Sequence, residues 1–246
     1  MQRNLGERLT LDDLADAAMF SKYHFSRTFL RATGVPPGRF LSALRLEKAK
    51  ELLLTTDWNV VDIGTAVGYN SVGTFSTRFS RSVGLSPTNY RRFRGFAPHL
   101  PDAEPWGYAS RGLRIRGTVS LSPHEEPRGV FVGLFPGPIP EGSPLAGTLI
   151  PGPGPYELVT ADAVSGHLAA FSLPAAEEKS HALADAGAWR VCGRQFTTHG
   201  PGTGEAVAHL TLAPRSRLDL PVLMAAPRCS MPFGAVSPAH RRCVPA

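Results

Sequence analysis

The side chains most able to do acid–base chemistry are scattered through the second half of the sequence. They are two carboxylates and four histidines: Glu157, Asp162, His167, His181, His199 and His209. Their spacing forms no nucleophile elbow, no histidine pair one helical turn apart and no phosphate-binding glycine loop. Three cysteines, Cys192, Cys229 and Cys243, lack the spacing of metal ligands. The sequence therefore predicts a protein that is not an enzyme, with no metal and no cofactor.

The distribution of charge indicates a different kind of chemistry. The formal net charge is +6. Residues 1–98 contain 14 Lys and Arg against 8 Asp and Glu, whereas residues 99–246 contain 12 of each. Because the excess positive charge lies entirely in the first region, we expect an anionic partner to bind there.

Proline usage divides the chain at the same place. Only four of the 23 prolines lie in residues 1–98. The stretch APHLPDAEPWG, residues 97–107, contains prolines that forbid a helix and has no apolar period, so it is typical of a linker. We expect a first domain at 1–96, a linker at 97–110, a second domain at 111–226 and a flexible tail at 227–246.

One helical pattern occurs twice in the first domain. The repeated residues are separated by 50 positions: Phe25 and Phe75, Phe29 and Phe79, Gly34 and Gly84, and Pro37 and Pro87. In each copy a helix follows an N-cap serine, Ser21 or Ser71, and a shorter helix precedes it. The shorter helices begin at Thr10, with a capping box to Asp13, and at Asn59. This pattern predicts a duplicated helix-turn-helix unit, with the phenylalanines in its core.

A longer helix is predicted between the two copies. Residues 40–54 contain no Gly or Pro and place their apolar residues on a broad stripe. A helix of about fifteen residues spans roughly 22 Å. Two helix-turn-helix units separated on this scale can enter successive major grooves on one face of a DNA duplex, about 34 Å apart.

The stretch LDDLADAAMFSKYHFSRTFLRATGVPPGRFLSALRLEKAKELLLTTDWNVVDIGTAVGYNSVGTFSTRFSRSVGLSPTNYRR resembles the DNA-binding domain of the AraC/XylS family of transcriptional regulators. The resemblance covers both copies. It implies a sequence-specific regulator whose partners are promoter or operator DNA and RNA polymerase. It also implies a further helix before the first copy, where this sequence has only MQRNLGER. Regulators of the family commonly place a sensing domain before the DNA-binding domain, and here the order is reversed.

The resemblance also implies which residues read DNA. The base-reading positions fall on Lys22, Tyr23, Ser26 and Arg27 in the first recognition helix and on Val72, Gly73, Ser76 and Thr77 in the second. Arg27 can bond a guanine in bidentate fashion. Val72 and Thr77 stand where the family usually has a long polar residue and an arginine. We therefore expect the first helix to carry most of the sequence discrimination.

Five arginines are candidates for phosphate contacts: Arg31, Arg78, Arg81, Arg91 and Arg92. The alternative for Arg31 is a solvated charge, and for the YRRFRG run at 90–95 a solvated helix end. We favour phosphate contacts for the run because it follows the second recognition helix. His24 has no titratable neighbour in sequence and is expected to be a surface or groove residue.

The second domain is predicted to be all-β. Seven short apolar runs, separated by Gly- and Pro-rich turns, are typical of strands: GLRIRGTVSL, GVFVGLF, PYELVT, GHLAAFSL, AWRVCG, AVAHLTL and LDLPVL. They favour an antiparallel β-sandwich. Their order weakly resembles transthyretin-like and carboxypeptidase-regulatory-like domains. We expect this domain to bind a small-molecule effector or a protein partner.

Two other functions remain open at this stage. The basic charge also fits a nonspecific DNA-coating or architectural protein, and the weak second helix fits an interaction module with a reduced DNA-binding half. A regulator should prefer one site over random DNA by about a thousandfold, which a coat protein should not. Charged residues near the start and the lack of an 18-residue apolar run predict a cytoplasmic protein without a membrane partner.

Overall fold

A computed structural model describes residues 1–97, 113–121, 129–160, 165–173, 192–196 and 204–227, and of residues 192–196 it describes the backbone only. The expected linker at 97–110 and the tail at 227–246 lie outside the described residues, except for Ala97 and Pro227. Asp162, His181 and His199 also lie outside them. Among the described residues, no helix has both the length and the apolar character needed to cross a bilayer.

The first region contains six helices, which are α1 (Leu11–Ala17), α2 (Lys22–Thr33), α3 (Pro37–Thr55), α4 (Val60–Ala66), α5 (Val72–Val83) and α6 (Pro87–Arg92). The caps predicted from the sequence are confirmed. Thr10 and Asp13 form a capping box, and the side chains of Ser21, Asn59 and Ser71 each accept a backbone N–H of the first turn. The α2 and α5 helices both end at a left-handed glycine, with φ of 77° and 85°.

The α3 helix is the centre of this region. It covers the predicted stretch at 40–54 and begins earlier, because Pro37 occupies the first turn, where a missing N–H costs nothing. With 19 residues it is about 28 Å long. Its buried side chains share one core with α4, α5 and α6, which contribute Ile63, Phe75, Phe79 and Tyr90. The first unit (α1 and α2) and the second unit (α4 and α5) are therefore joined through α3.

The two units are not packed equally. Phe75 and Phe79 of the second unit are fully buried, whereas Phe25 and Phe29 of the first are only half-buried. The amino-terminal segment also lies on the second unit. Arg45 of α3 donates to the carbonyls of Leu5 and Glu7, at 2.9 and 2.7 Å, and thereby holds this segment in place.

The second region is rich in β-strands, as predicted. The described strands are β1 (Arg114–Leu121), β2 (Val130–Phe135), β3 (Ala146–Ile150), β4 (Gly154–Val159), β5 (Gly166–Ser172), β6 (Cys192–Phe196), β7 (Glu205–Val207) and β8 (Leu210–Leu212). Four predicted runs correspond to β1, β2, β4 and β5. The run AWRVCG overlaps the beginning of β6. The β3 strand was not predicted, and the run AVAHLTL divides into β7 and β8.

The strands form two sheets. One has the order β3-β2-β5-β6, and all its described pairings are antiparallel. In the other, β1 pairs antiparallel with β4 but parallel with β7 and β8. The expected antiparallel arrangement is therefore confirmed except at β7 and β8. A single core cluster contains residues of both sheets, among them Ile115, Val132, Tyr156 and Leu168.

The last predicted strand, LDLPVL, forms no ladder. Its last four residues begin a stretch outside the eight strands, residues 220–226, which we call the bridging segment. Its single described bridge pairs Ala226 with Phe96. The alternation in its sequence is real, but its two faces pack against different regions. Leu223 and Ala225 belong to the helical core, whereas Val222 and Met224 pack with β2 and β5.

Candidate nucleic-acid interface

The first recognition helix, α2, presents the predicted reading residues near its amino terminus. Lys22, Tyr23 and Arg27 are exposed and Ser26 is half-buried. Positions i, i+1, i+4 and i+5 lie on one side of a helix, so the four side chains share a face. Tyr23 is 77% exposed, although large aromatic side chains are usually covered by protein. An exposed aromatic beside two cations is suited to contact a base edge or a sugar.

An acidic residue lies close to this face. Lys22 Nζ is 3.4 Å from Asp12 Oδ1 of α1, and both side chains are largely exposed. An exposed pair of this kind contributes little to stability. It leaves Lys22 available to a stronger anion, because a phosphate can replace the carboxylate at little cost.

The second recognition helix, α5, repeats the arrangement with different side chains. Val72, Gly73 and Thr77 are exposed and Ser76 is half-buried, at the same relative positions as in α2. A Cβ added to Gly73 would meet only Ser71 Oγ, at 3.9 Å, so packing does not require glycine there. This face has no charged group, and a DNA surface would meet only short side chains and one methyl-bearing Val on it.

Four of the five arginines predicted to contact phosphates are exposed to solvent. Arg31, Arg78, Arg81 and Arg92 are exposed, and Arg92 lies over the Phe93 ring with its guanidinium carbon 4.6 Å from the ring centroid. Arg31 and Arg81 occupy the last turns of α2 and α5. These positions allow phosphate contacts on either side of a groove that receives the helix.

Arg91 has a structural role that the sequence did not predict. Its Nε donates to Leu53 O at 3.0 Å, and its Nη2 donates to Thr56 O at 3.1 Å and to Trp58 O at 2.6 Å. The carbonyls at the end of a helix lack intrahelical donors, and here one guanidinium supplies them for α3 and for the turn into α4. A phosphate contact at Arg91 stays a prediction, but this side chain is already engaged.

The three candidate acid–base residues that the structure describes, Glu157, His167 and His209, have separate surroundings. Glu157 pairs with Arg114 and Arg116, while His209 bonds Thr118 with its Nδ1 2.6 Å from the hydroxyl. Partial burial lowers the pKa of His167, which lies on the other sheet. Within the described ranges, no three potential metal ligands cluster. His24 is exposed and packs against the Phe20 ring, with centroids 4.6 Å apart.

Comparison with known proteins places this interface in a family. The profile of a helix-turn-helix domain family matches residues 14–92. The HTH-type transcriptional activator AarP of Providencia stuartii is 35% identical over 91 residues, which are 37% of this chain and 67% of AarP. The MmsAB operon regulatory protein of Pseudomonas aeruginosa is 39% identical over 92 residues, but the chain covers only 30% of it.

A solved structure also resembles part of the chain. A transcriptional regulator from Chromobacterium violaceum, described as containing an AraC-type DNA-binding domain, is 32% identical. The match covers 37% of this chain and 82% of that one, with a TM-score of 0.37. The match to AarP extends over two thirds of that relative. The chain therefore belongs to the AraC/XylS family of helix-turn-helix, DNA-binding transcriptional regulators, as its sequence predicted.

Proposed function

We propose that the chain is a sequence-specific regulator that inserts α2 and α5 into successive major grooves of a promoter or operator. The observation that carries this proposal is the exposed face at equivalent positions of both helices, which are held on one α3 scaffold. Each helix is fixed at both ends by a serine N-cap and a left-handed glycine. A rigid pair of this kind suits DNA reading because less conformational entropy is lost on binding.

The two helices would contribute differently. Arg27 is proposed to bond a guanine and Lys22 a base edge or a phosphate, while Tyr23 and Ser26 add shorter-range contacts. In α5, Val72 and Thr77 offer methyl groups to thymine, Ser76 offers a hydroxyl, and Gly73 permits close approach. Most of the sequence discrimination is therefore assigned to α2. Arg31, Arg78, Arg81 and Arg92 are proposed to fix the register through phosphates.

The β-rich region is proposed to be a β-sandwich that serves as a sensor or interaction domain. The shared core between its two sheets supports this architecture. We propose that its partner is a small-molecule effector or a protein, and that RNA polymerase is a partner of the whole regulator. The proposed domain limits are 1–96 and 111–226. The bridging segment, which belongs to the second domain, packs on both regions.

A selection from random double-stranded DNA at about 0.15 M salt tests this function. The expected result is one asymmetric site of roughly two helical turns, with an affinity about a thousandfold above that for random DNA. Single-base variants should cost about 1–3 kcal/mol in the half read by α2 and less in the other half. Retention of DNA without enrichment of any sequence would favour the nonspecific coating function instead.

Arg27→Lys and Arg31→Lys form a matched pair for the same experiment. Lys cannot reproduce a bidentate bond, so Arg27→Lys should lower both the affinity and the preference for guanine at one position. Arg31→Lys should leave the preference unchanged, because a phosphate accepts either cation. Equal base preferences in wild type and Arg27→Lys would argue against the assigned role.

A further inference from the structure

We infer that the bridging segment, residues 220–226, positions the second recognition helix, so that the C-terminal β-rich region controls DNA binding within one chain. The inference rests on the proposed function of α5 and goes beyond it by assigning a route between the two regions. It concerns a stretch that the sequence predicted as an ordinary strand and that lies well outside the matched residues 14–92.

The side chains of the bridging segment pack on both regions. Leu223 is fully buried in the core that contains Phe75 and Phe79 of α5. Its neighbour Met224 is buried on the opposite side, against a cluster that includes Phe131 and residues of β5. Residues 222–226 thus alternate between the two clusters. A displacement of the sheet would therefore be transmitted directly to the core beneath α5.

The backbone of the segment is bonded to the ends of two helices. The N–H of Ala225 donates to the carbonyl of Val83, the last residue of α5, at 2.9 Å. The N–H of Ala226 donates to Gly95 O, just beyond α6, also at 2.9 Å. A carbonyl at a helix end needs a donor from outside the helix, so the segment completes the end of α5. Its position thereby sets the position of the end of α5.

A buried lysine of α3 also binds the bridging segment. Lys50 of α3 is 7% exposed, and its Nζ donates to Val222 O at 2.7 Å and to Met224 O at 3.3 Å. A buried ammonium is tolerated only where acceptors surround it, which makes these carbonyls part of its site. Nearby, Arg215 and Glu47 form an ion pair with an Nη1–Oε1 distance of 2.5 Å, between side chains that are 12% and 19% exposed.

The connection between β2 and β3 provides a second point of contact. Pro140 O accepts the N–H of Leu223 at 2.8 Å, and the N–H of Gly142 donates to Ser82 O of α5 at 2.6 Å. Glu141 pairs with Arg39 in the first turns of α3. The β-rich region therefore contacts both α3 and the carboxyl end of α5.

The contacts leave the reading faces free. The hydrogen bonds meet α5 at Ser82 and Val83, beyond the reading positions, the last of which is Thr77. Among the described residues, no hydrogen bond or ion pair joins the β-rich region to α1 or α2. The bridging segment therefore supports α5 without covering its reading face. Its release should weaken the half-site bound by α5 and spare the half-site bound by α2.

The test uses Leu223→Ala in the full chain, with Leu158→Ala as the matched control. Both leucines are buried, but Leu158 lies between the two sheets and outside the helical core. Hydroxyl-radical footprints on the selected site should lose protection in one half-site with Leu223→Ala, and affinity should fall about tenfold. Hydrogen exchange should become faster for the amides of α5 and α6. The Leu158→Ala protein should match wild type in both measurements.

Lys50→Met is the second variant, because it keeps most of the side-chain volume and is expected to fold even where Leu223→Ala does not. It should speed exchange at the amides of Ala225 and Ala226 and weaken the same half-site. Equal loss in both half-sites, or no change in either variant, would overturn the inference. Wild-type protein that selects no site would refute the proposed function alone. Hydrogen exchange would then still decide whether the segment positions α5, because unchanged exchange in α5 and α6 of Leu223→Ala would refute it.

Discussion

Met19 and Gly68 occupy the same position in the turns of the two helix-turn-helix units, and both have a positive φ, 56° and 87° respectively. In each turn the N–H of the next residue, Phe20 or Tyr69, donates to a carbonyl five residues earlier, at 3.0 and 2.9 Å. The turn that ends the shorter helix therefore has the same backbone conformation in both units. Glycine adopts this conformation freely, whereas an L side chain there costs about 1–2 kcal/mol.

Replacement of Met19 by glycine should stabilise the protein. Met19 is 91% exposed, so the change removes backbone strain and loses almost no packing. The greater flexibility of glycine in the unfolded chain offsets part of the gain, and we expect a net increase of about 0.5–1 kcal/mol in the free energy of unfolding. Urea denaturation measures it. Met19→Ala is the control, because it keeps the strain and should change the free energy by less than about 0.5 kcal/mol.

Gly68→Ala should have the opposite effect and a larger one. The added Cβ would lie 2.5 Å from Leu5 O and 2.8 Å from the Arg45 guanidinium, at a φ that alanine rarely adopts. We expect a loss of more than about 2 kcal/mol in the free energy of unfolding. The amides near Leu5 should also exchange faster, because the amino-terminal segment must move away from the turn. Wild-type stability in this variant would show that the segment is not packed as described.

The equivalent phenylalanines of the two units should contribute differently to the free energy of unfolding. Phe75→Ala removes a side chain with no exposed surface and should cost about 3–5 kcal/mol. Phe25 is half-buried, so Phe25→Ala should cost about half as much. The two variants change the same residue type at the same position of the repeat, and each serves as the control for the other. Equal losses in urea denaturation would contradict the unequal packing.

The unequal packing of the two units could not be predicted from the sequence. N-caps and left-handed glycines depend on residues near one another in the chain, and those of the two helix-turn-helix units were predicted. The α6 helix was not predicted, and α3 begins earlier than expected. The helical core also contains Leu223 and Ala225, which lie more than 130 positions beyond α5. LDLPVL was predicted to be a strand and forms no ladder, because a period of two does not reveal whether its faces meet a sheet or two different regions.

The same limit applies to the arginines that end the first region. Arg91 and Arg92 are adjacent and identical in type, so no sequence pattern distinguishes their roles. Only the arrangement of the α3 carboxyl end decides that Arg91 points to three carbonyls while Arg92 is exposed.

Substitution of these two arginines by methionine should show that Arg91 supports stability and that Arg92 supports DNA binding. Arg91→Met removes three charge-assisted hydrogen bonds and should lower the free energy of unfolding by about 2 kcal/mol. Arg92→Met should leave stability within about 0.5 kcal/mol of wild type. It should instead reduce the slope of log affinity against log salt by about 1, as expected for one lost phosphate contact. Reversed results would assign the phosphate contact to Arg91.

Lys50 makes the junction between the two regions dependent on pH. Its burial lowers its pKa from 10.5 to about 8, with the Glu47 charge opposing this change and the Arg215 charge reinforcing it. The ring of Tyr90 faces the same ammonium, with Nζ 5.8 Å from the centroid. Burial raises the pKa of Tyr90 well above its ordinary value of 10. Two buried titratable groups, one with a lowered pKa and one with a raised pKa, therefore lie next to each other.

The free energy of unfolding should rise between pH 8 and 10 because of Lys50. Above pH 8 the folded protein has released the Lys50 proton, whereas the unfolded chain retains it until about pH 10.5. The unfolded state thus binds more protons in this window, and stability increases with pH, by about 2 kcal/mol from this group. Above about pH 10 the unfolded chain loses its Tyr90 proton first, so stability should fall again. Urea denaturation at several pH values, compared with Lys50→Met, isolates the contribution, because the variant lacks the titrating amine and keeps Tyr90. An identical pH profile in wild type and variant would show that Lys50 titrates normally and that its site is open to water.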